Sequence, residues 1–234
     1  MPARRRRRIK NYPDKFMIFK NRREAGMLLG DKLSSDKYGG GNTVVIGLLR
    51  GGIPVAYEIA KRLKSPLEVA LVRKIGAPGH EELAIGAIVD GKNPKVYLNK
   101  PLISRIGIPE EYISRIKKIK LEEIRKREKI YRREEEKIDV HGKTAIVVDD
   151  GIATGASIMV VIEALKEELP EKIIVAVPVV PADTLTEMNK IADGVVALDA
   201  PEEFYAVGEF YEDFGQTSDE EVIELLQKSR KSNK

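Results

Sequence analysis

Ala145-Ile146-Val147-Val148-Asp149-Asp150-Gly151-Ile152-Ala153-Thr154-Gly155-Ala156-Ser157 runs from four apolar residues straight into two adjacent carboxylates. A glycine-bracketed loop follows, then hydroxyl residues and the start of a helical pattern. Four consecutive apolar residues with no polar alternation read as a strand buried on both faces. The pair Asp149 and Asp150 then stands at the carboxyl end of that strand. Gly151 and Gly155 let the backbone turn tightly, and Thr154 and Ser157 add hydroxyl donors where a helix N-terminus favours anions. A strand, an acidic end and an anion cradle in this order belong to an α/β fold with a parallel sheet.

The flanking sequence repeats that alternation. Thr43–Leu49, Leu67–Val72, Lys172–Val177 and Gly194–Leu198 read as further apolar strands. Helical patterns lie between them near Pro54, over 156–168 and over 182–191. Buried strands alternating with helices predict a Rossmann-like parallel sheet covered on both faces. Phe16–Phe19 is expected to form a short strand, followed after Asn21 by a helix with Ala25, Leu28, Leu29 and Leu33 on one face. Gly39-Gly40-Gly41 breaks the chain before the first core strand. Arg73–Glu82 reads as a polar loop marked by Gly and Pro, and Ala84–Val89 with Lys95–Leu98 as a ribbon. Pro109 opens a long charged helix to about Glu136, and a last helix spans about 219–228. The expected organisation is a basic leader, 1–13, and one domain, 14–234. Its core is about 43–200, its small hood about 14–34 and 200–234, and its helical insertion about 109–137.

Composition narrows the chemistry. The chain has 234 residues, 42% apolar and 33% charged, which suits a globular protein with a substantial core. It has no cysteine, which excludes disulfides, thiolate metal sites and a cysteine nucleophile. No apolar run is long enough to span a membrane, so a cytoplasmic location without a membrane partner is expected. Five consecutive arginines, Arg4–Arg8, can account for the net charge of +4. They read as a solvated leader, and the basic helix around Lys117–Arg133 carries many acids, so nucleic acid is not an expected partner. His80, on a loop, and His141, before a strand, read as incidental or structural.

In an open parallel sheet, ligands bind beyond the carboxyl ends of the strands. Three polar groups fall there: Arg50-Gly51-Gly52, Arg73-Lys74, and Asp149-Asp150 with its loop. The last is neither a Walker A loop, since no lysine follows the second glycine, nor a G-x-G-x-x-G fingerprint. Vicinal hydroxyls suit the acids and a phosphate suits the loop, and a ribose 5-phosphate offers both.

The segment closely resembles the motif by which type I phosphoribosyltransferases bind 5-phosphoribosyl pyrophosphate (PRPP). The chain from about Phe16 to Glu221 is similar to phosphoribosyltransferases of unassigned acceptor. The resemblance implies that Asp149 and Asp150 hold the ribose hydroxyls. It implies that Gly151, Ile152, Ala153, Thr154, Gly155, Ala156 and Ser157 wrap the 5-phosphate. Arg50, Gly51, Gly52 and Arg73 would take the pyrophosphate, with Lys74 acting there in catalysis and a cis peptide expected at Arg50–Gly51. The loop with His80, Glu81 and Glu82 would be the mobile catalytic loop. Acceptor binding would fall to the hood, with Phe204 and Tyr205 as candidates. Mg²⁺ is expected to be carried mainly by PRPP and not by a protein cage, and a homodimer is expected by analogy. Two other readings stay open: a PRPP-sensing regulator that binds nucleic acid, and a sugar-phosphate or nucleotide hydrolase.

Overall fold

The computed structural model describes residues 17–35, 38, 42–90, 94–133 and 135–232. The arginine leader, Phe16 and Gly39–Gly41 lie outside the described residues. Five parallel strands form the main sheet: β1 (Thr43–Leu48), β2 (Leu67–Ala70), β6 (Thr144–Val148), β7 (Lys172–Val179) and β8 (Gly194–Asp199), in the order β2-β1-β6-β7-β8. Every residue of β1 and β2 is buried, as are all but the first of β7, because helices cover both faces. One face packs α1 (Arg22–Ser35) and α2 (Gly52–Leu63) over Val45, Ile146 and Ile174. The other packs α5 (Ala156–Lys166) and α6 (Ala182–Ile191) over Val44, Val147 and Val175. Successive strand residues point to opposite faces, which is why neighbours such as Val44 and Val45 enter different cores.

The sheet order reverses direction between β1 and β6. The chain leaves β1 toward β2 on one side, and β6, β7 and β8 build outward on the other. That switch point opens a crevice at the carboxyl ends of β1 and β6. Arg50-Gly51-Gly52 and Asp149-Asp150 follow those two strands.

Several expectations need correction. Arg73 and Lys74 lie in a strand, not a loop. β3 (Val72–Ala77), β4 (His80–Val89) and β5 (Lys95–Leu98) form a separate antiparallel sheet. The β3–β4 connection is only Pro78-Gly79, where Gly79 takes φ +71. The Gly/Pro signal therefore marks a hairpin turn, and Glu81 and Glu82 sit in β4. The predicted strand over 67–72 splits at Leu71, whose N–H donates to Asp90 Oδ1 and whose carbonyl accepts from the Asp90 N–H. Asp90 thus staples the crossing between the two sheets.

The N-terminal strand reduces to a single parallel bridge between Phe19 and Tyr211. The helix near Pro54 begins two residues earlier, at Gly52. The long helix, α4 (Glu110–Tyr131), stops short of Glu136 because Arg132 turns its guanidinium into the core and Arg133 takes φ +58. A short helix, α3 (Lys100–Ile106), precedes it, capped by the Asn99 side chain and ended by Gly107. The last helix, α7 (Asp219–Ser232), is longer than expected.

Candidate functional site

The two strand ends at the switch point lie in contact. The backbone turns out of β1 through Leu49, Arg50 and Gly51, with a cis peptide at Leu49–Arg50, one bond before the expected Arg50–Gly51. Gly51 instead adopts φ −60 and ψ −30, already the geometry of the α2 helix it leads into. Its lack of a side chain is obligatory: a Cβ there would lie 1.9 Å from Asp150 Oδ2. A Cβ on Gly52 would meet the Val148 carbonyl at 2.7 Å. The two glycines let the β1 turn lie against the acids.

Asp149 and Asp150 sit half-buried side by side. Asp149 Oδ1 accepts the Asp150 N–H at 2.9 Å. Burial first, and the neighbouring Asp150 charge second, hold the Asp149 carboxyl well above the ordinary aspartate range. Asp150 Oδ2 is paired with Arg22 Nε at 2.7 Å, both side chains largely buried. Arg22 Nη1 donates to the Gly215 carbonyl, and its guanidinium lies 3.9 Å over the Phe214 ring. The Tyr211 hydroxyl donates to the Asp150 carbonyl, and burial pushes that phenol up.

Beyond the acids, Ile152 N–H donates to the Val179 carbonyl, which fixes the loop against β7. Gly155 takes φ +73, a left-handed geometry that suits glycine, and leads directly into α5. The first intrahelical bond closes from Met159 to Gly155, so the amides before it have no partner inside the helix. Ala153, Thr154 and Ala156 are exposed and Ser157 half-buried around this turn.

The remaining candidates divide. Arg50 is exposed, with Nη1 3.5 Å from Asp219 Oδ1 at the start of α7. The same Asp219 oxygen accepts the Tyr131 hydroxyl, and burial together with that bond pushes the phenol up to about 12. Arg73 Nε faces Glu123 of α4 at 3.1 Å. Burial and the nearby Arg127 lower its pKa, with Glu123 opposing them. Strand alternation places Lys74 on the opposite face of β3, exposed. The two basic residues therefore do not act as one cluster. Among the aromatics, Phe204 stacks on Phe210 with centroids 5.5 Å apart, so it packs the cap, whereas Tyr205 is 84% exposed.

The segments around Phe19 and around Phe210 meet beside this site. Phe19 N–H donates to the Phe210 carbonyl, and the Glu212 N–H returns to the Phe19 carbonyl. Phe19, Ala25, Val179, Phe210 and Tyr211 form a small core of their own. Beside Arg22 lies a cavity of about 330 Å³, bounded by Asn21, Arg23, Pro54 and the 213–217 segment. Arg22 is the functional candidate that sequence reasoning missed. Its one signal is an arginine in the first turn of a helix, where a cation opposes the macrodipole. No group of three or more His, Asp or Glu side chains suited to a metal gathers among the described residues. Among them, no helix is long and apolar enough to cross a membrane.

Comparison with known proteins matches residues 20–214 to the family model for the phosphoribosyl transferase domain. A Mycobacterium tuberculosis H37Rv protein named "Putative phosphoribosyl transferase Rv0571c" is 37% identical over 214 residues, 92% of this chain and 47% of its own. Its counterpart from strain CDC 1551 matches equally. The chain thus spans about half the length of these curated relatives. The crystal structure of TT1426 from Thermus thermophilus is 38% identical, with a TM-score of 0.77, covering 91% of this chain and 99% of that one.

Proposed function

The chain belongs to the phosphoribosyl transferase domain family, and on that premise we propose that it transfers the 5-phosphoribosyl group of PRPP to a nitrogenous acceptor, releasing pyrophosphate. The observation that carries this reading is the contact between Gly51 and Asp150 at the switch point. A loop suited to a diphosphate and a pair of acids suited to a ribose adjoin there, as the two ends of PRPP require.

In this mechanism the hydroxyls of the ribose donate to Asp149 and Asp150. The 5-phosphate lies on the amides from Gly151 to Ser157 at the start of α5, with Thr154 and Ser157 adding hydroxyl donors. The diphosphate lies over Gly51 and Gly52, whose bare backbone allows close approach. Negative charge builds on the leaving pyrophosphate as its C–O bond breaks, and Arg50 and Lys74 stabilise it electrostatically. The anomeric carbon becomes oxocarbenium-like, and the adjacent carboxylates offset its positive charge. Mg²⁺, when bound, would add to the neutralisation of the diphosphate; it would be carried mainly by PRPP oxygens and water, with Asp149 and Asp150 the adjacent acids beside it. Arg73 is tied to Glu123 and would need to exchange that partner to reach the diphosphate.

The same reading treats 14–234 as one domain whose chain ends form the hood, with the exposed Tyr205 as its candidate contact to the acceptor. A cytoplasmic homodimer remains part of the proposal. The direct test is pyrophosphate release from Mg²⁺-PRPP against a panel of purines, pyrimidines, orotate and simple amines. Release dependent on one acceptor supports the transferase. Phosphate release without an acceptor points to a hydrolase, and tight PRPP binding with no turnover points to a sensor.

A further inference from the structure

We propose that Arg22 is a diphosphate-binding residue that occupies Asp150 in the free protein and exchanges that carboxylate for PRPP. The inference rests on the PRPP reading of the site. Three observations carry it.

The first is position. Arg22 Nε lies 2.7 Å from Asp150 Oδ2 and 3.1 Å from where a Cβ on Gly51 would stand. The guanidinium therefore sits at the junction between the ribose acid and the diphosphate loop. A diphosphate resting on Gly51 lies within its reach without any movement of α1.

The second is competition. Asp150 Oδ2 cannot accept a ribose hydroxyl with full strength while it holds Arg22. A dianionic diphosphate arriving beside the guanidinium offers it a denser negative charge and a fork-shaped set of oxygens. Exchange of partners frees Asp150 for the sugar in the same step.

The third is how Arg22 is held. Phe214 stacks on one face and the Gly215 carbonyl takes Nη1, while Nη2 has no partner among the described residues. The group is thus oriented by the hood with donor capacity left over. A cation in the first turn of α1 is disfavoured by the helix dipole, so its placement there serves the acids and the ligand and not the helix. The 213–217 segment that holds it also bounds the cavity beside Arg22, so the exchange links diphosphate binding to the hood.

The test is calorimetry with Mg²⁺-PRPP and, separately, with ribose 5-phosphate, on the full chain and its R22Q and R22K variants. Ribose 5-phosphate lacks the diphosphate, so the two ligands separate the roles. R22Q is expected to weaken PRPP binding about 10- to 100-fold, the order of a lost charge-assisted fork. The same variant should bind ribose 5-phosphate at least as tightly as the parent, because the competitor for Asp150 is gone. R22K keeps the charge without the fork, and should recover part of the PRPP affinity. If R22Q fails to fold, a selective loss of PRPP over ribose 5-phosphate in R22K carries the same decision. Equal losses for both ligands would make Arg22 a hood anchor only, and unchanged PRPP affinity would remove it from the site; either overturns the proposal. A parent protein that binds neither ligand overturns instead the PRPP reading on which this rests.

Discussion

Asp149 is held in an environment that opposes its charge. Burial and Asp150 raise its carboxyl pKa above the unfolded value. The folded state therefore binds a proton more tightly than the unfolded one between those two pKa values. Stability from this group is fully present below the unfolded aspartate pKa and is lost as pH rises through the folded one. Asp149→Asn removes that penalty. It is expected to raise stability at pH 7 by about 1 kcal/mol, or about 2–4 °C in Tm, while the gain vanishes near pH 4. Circular-dichroism melts at the two pH values check the sign, and the same variant should lose PRPP binding. Gly51 makes the complementary case. Gly51→Ala puts a methyl group into Asp150, whose carboxylate is pinned by Arg22. A cost of about 1–3 kcal/mol is expected, with PRPP affinity lost as well, read by denaturant titration and calorimetry. The sequence shows two glycines directly after the β1 run. Their contact with Asp150, far along the chain, is not legible there, because no local pattern reports it.

Elements are held around the site by a buried charge network centred on Arg132. Its Nε lies 3.0 Å from Glu68 Oε1 on β2, its Nη2 2.5 Å from Asp90 Oδ2 after β4, and its Nη1 3.3 Å from Glu128 of α4. Nη2 also donates to the Val69 carbonyl. One side chain thus joins the end of the long helix, an edge strand of the main sheet and the hairpin that carries Arg73 and Lys74. Arg132→Met leaves Glu68 and Asp90 buried without a cation, at an expected cost of about 3–5 kcal/mol. Urea midpoints of the variant and the parent at pH 7 would show the loss. The sequence displayed α4 through its i,i+4 charge pairs but hid this use of Arg132, since one arginine in a charged helix looks like any other. The short helix α3 was within reach of a sequence reading, because Asn99, Pro101 and Gly107 supply a cap, a first-turn proline and a stop.

At the scale of the whole molecule, the sheet and the joined segments around Phe19 and Tyr211 make the candidate site a seam. Two loops from β1 and β6 form its floor, and the bridge between Phe19 and Tyr211 closes the hood beside it. A ligand bound only by the folded form should stabilise the whole chain. At a PRPP concentration about 100 times its Kd the gain is about 2.7 kcal/mol. That corresponds to about 5–10 °C in Tm at this size. Hydrogen exchange should slow most at 49–54, 149–158 and 213–217. A melt unmoved by saturating Mg²⁺-PRPP would contradict the site. Protection confined to the arms of β3 and β4 would place the ligand elsewhere.

The sequence by itself determined the parallel sheet, the alternation of its strands with helices, and the acid-and-glycine segment at 149–157. Each of these is a local pattern: continuous apolar runs, strand ends, and residues with special turn geometry. Only the tertiary structure decided which groups meet. It brought Gly51 against Asp150, paired Asp150 with Arg22, set Arg50 opposite Asp219 and diverted Arg73 to Glu123. It also turned Arg73–Glu82 from a loop into a hairpin. Those outcomes depend on which elements the sheet order makes neighbours. A periodicity shows how an element is built but not what it packs against.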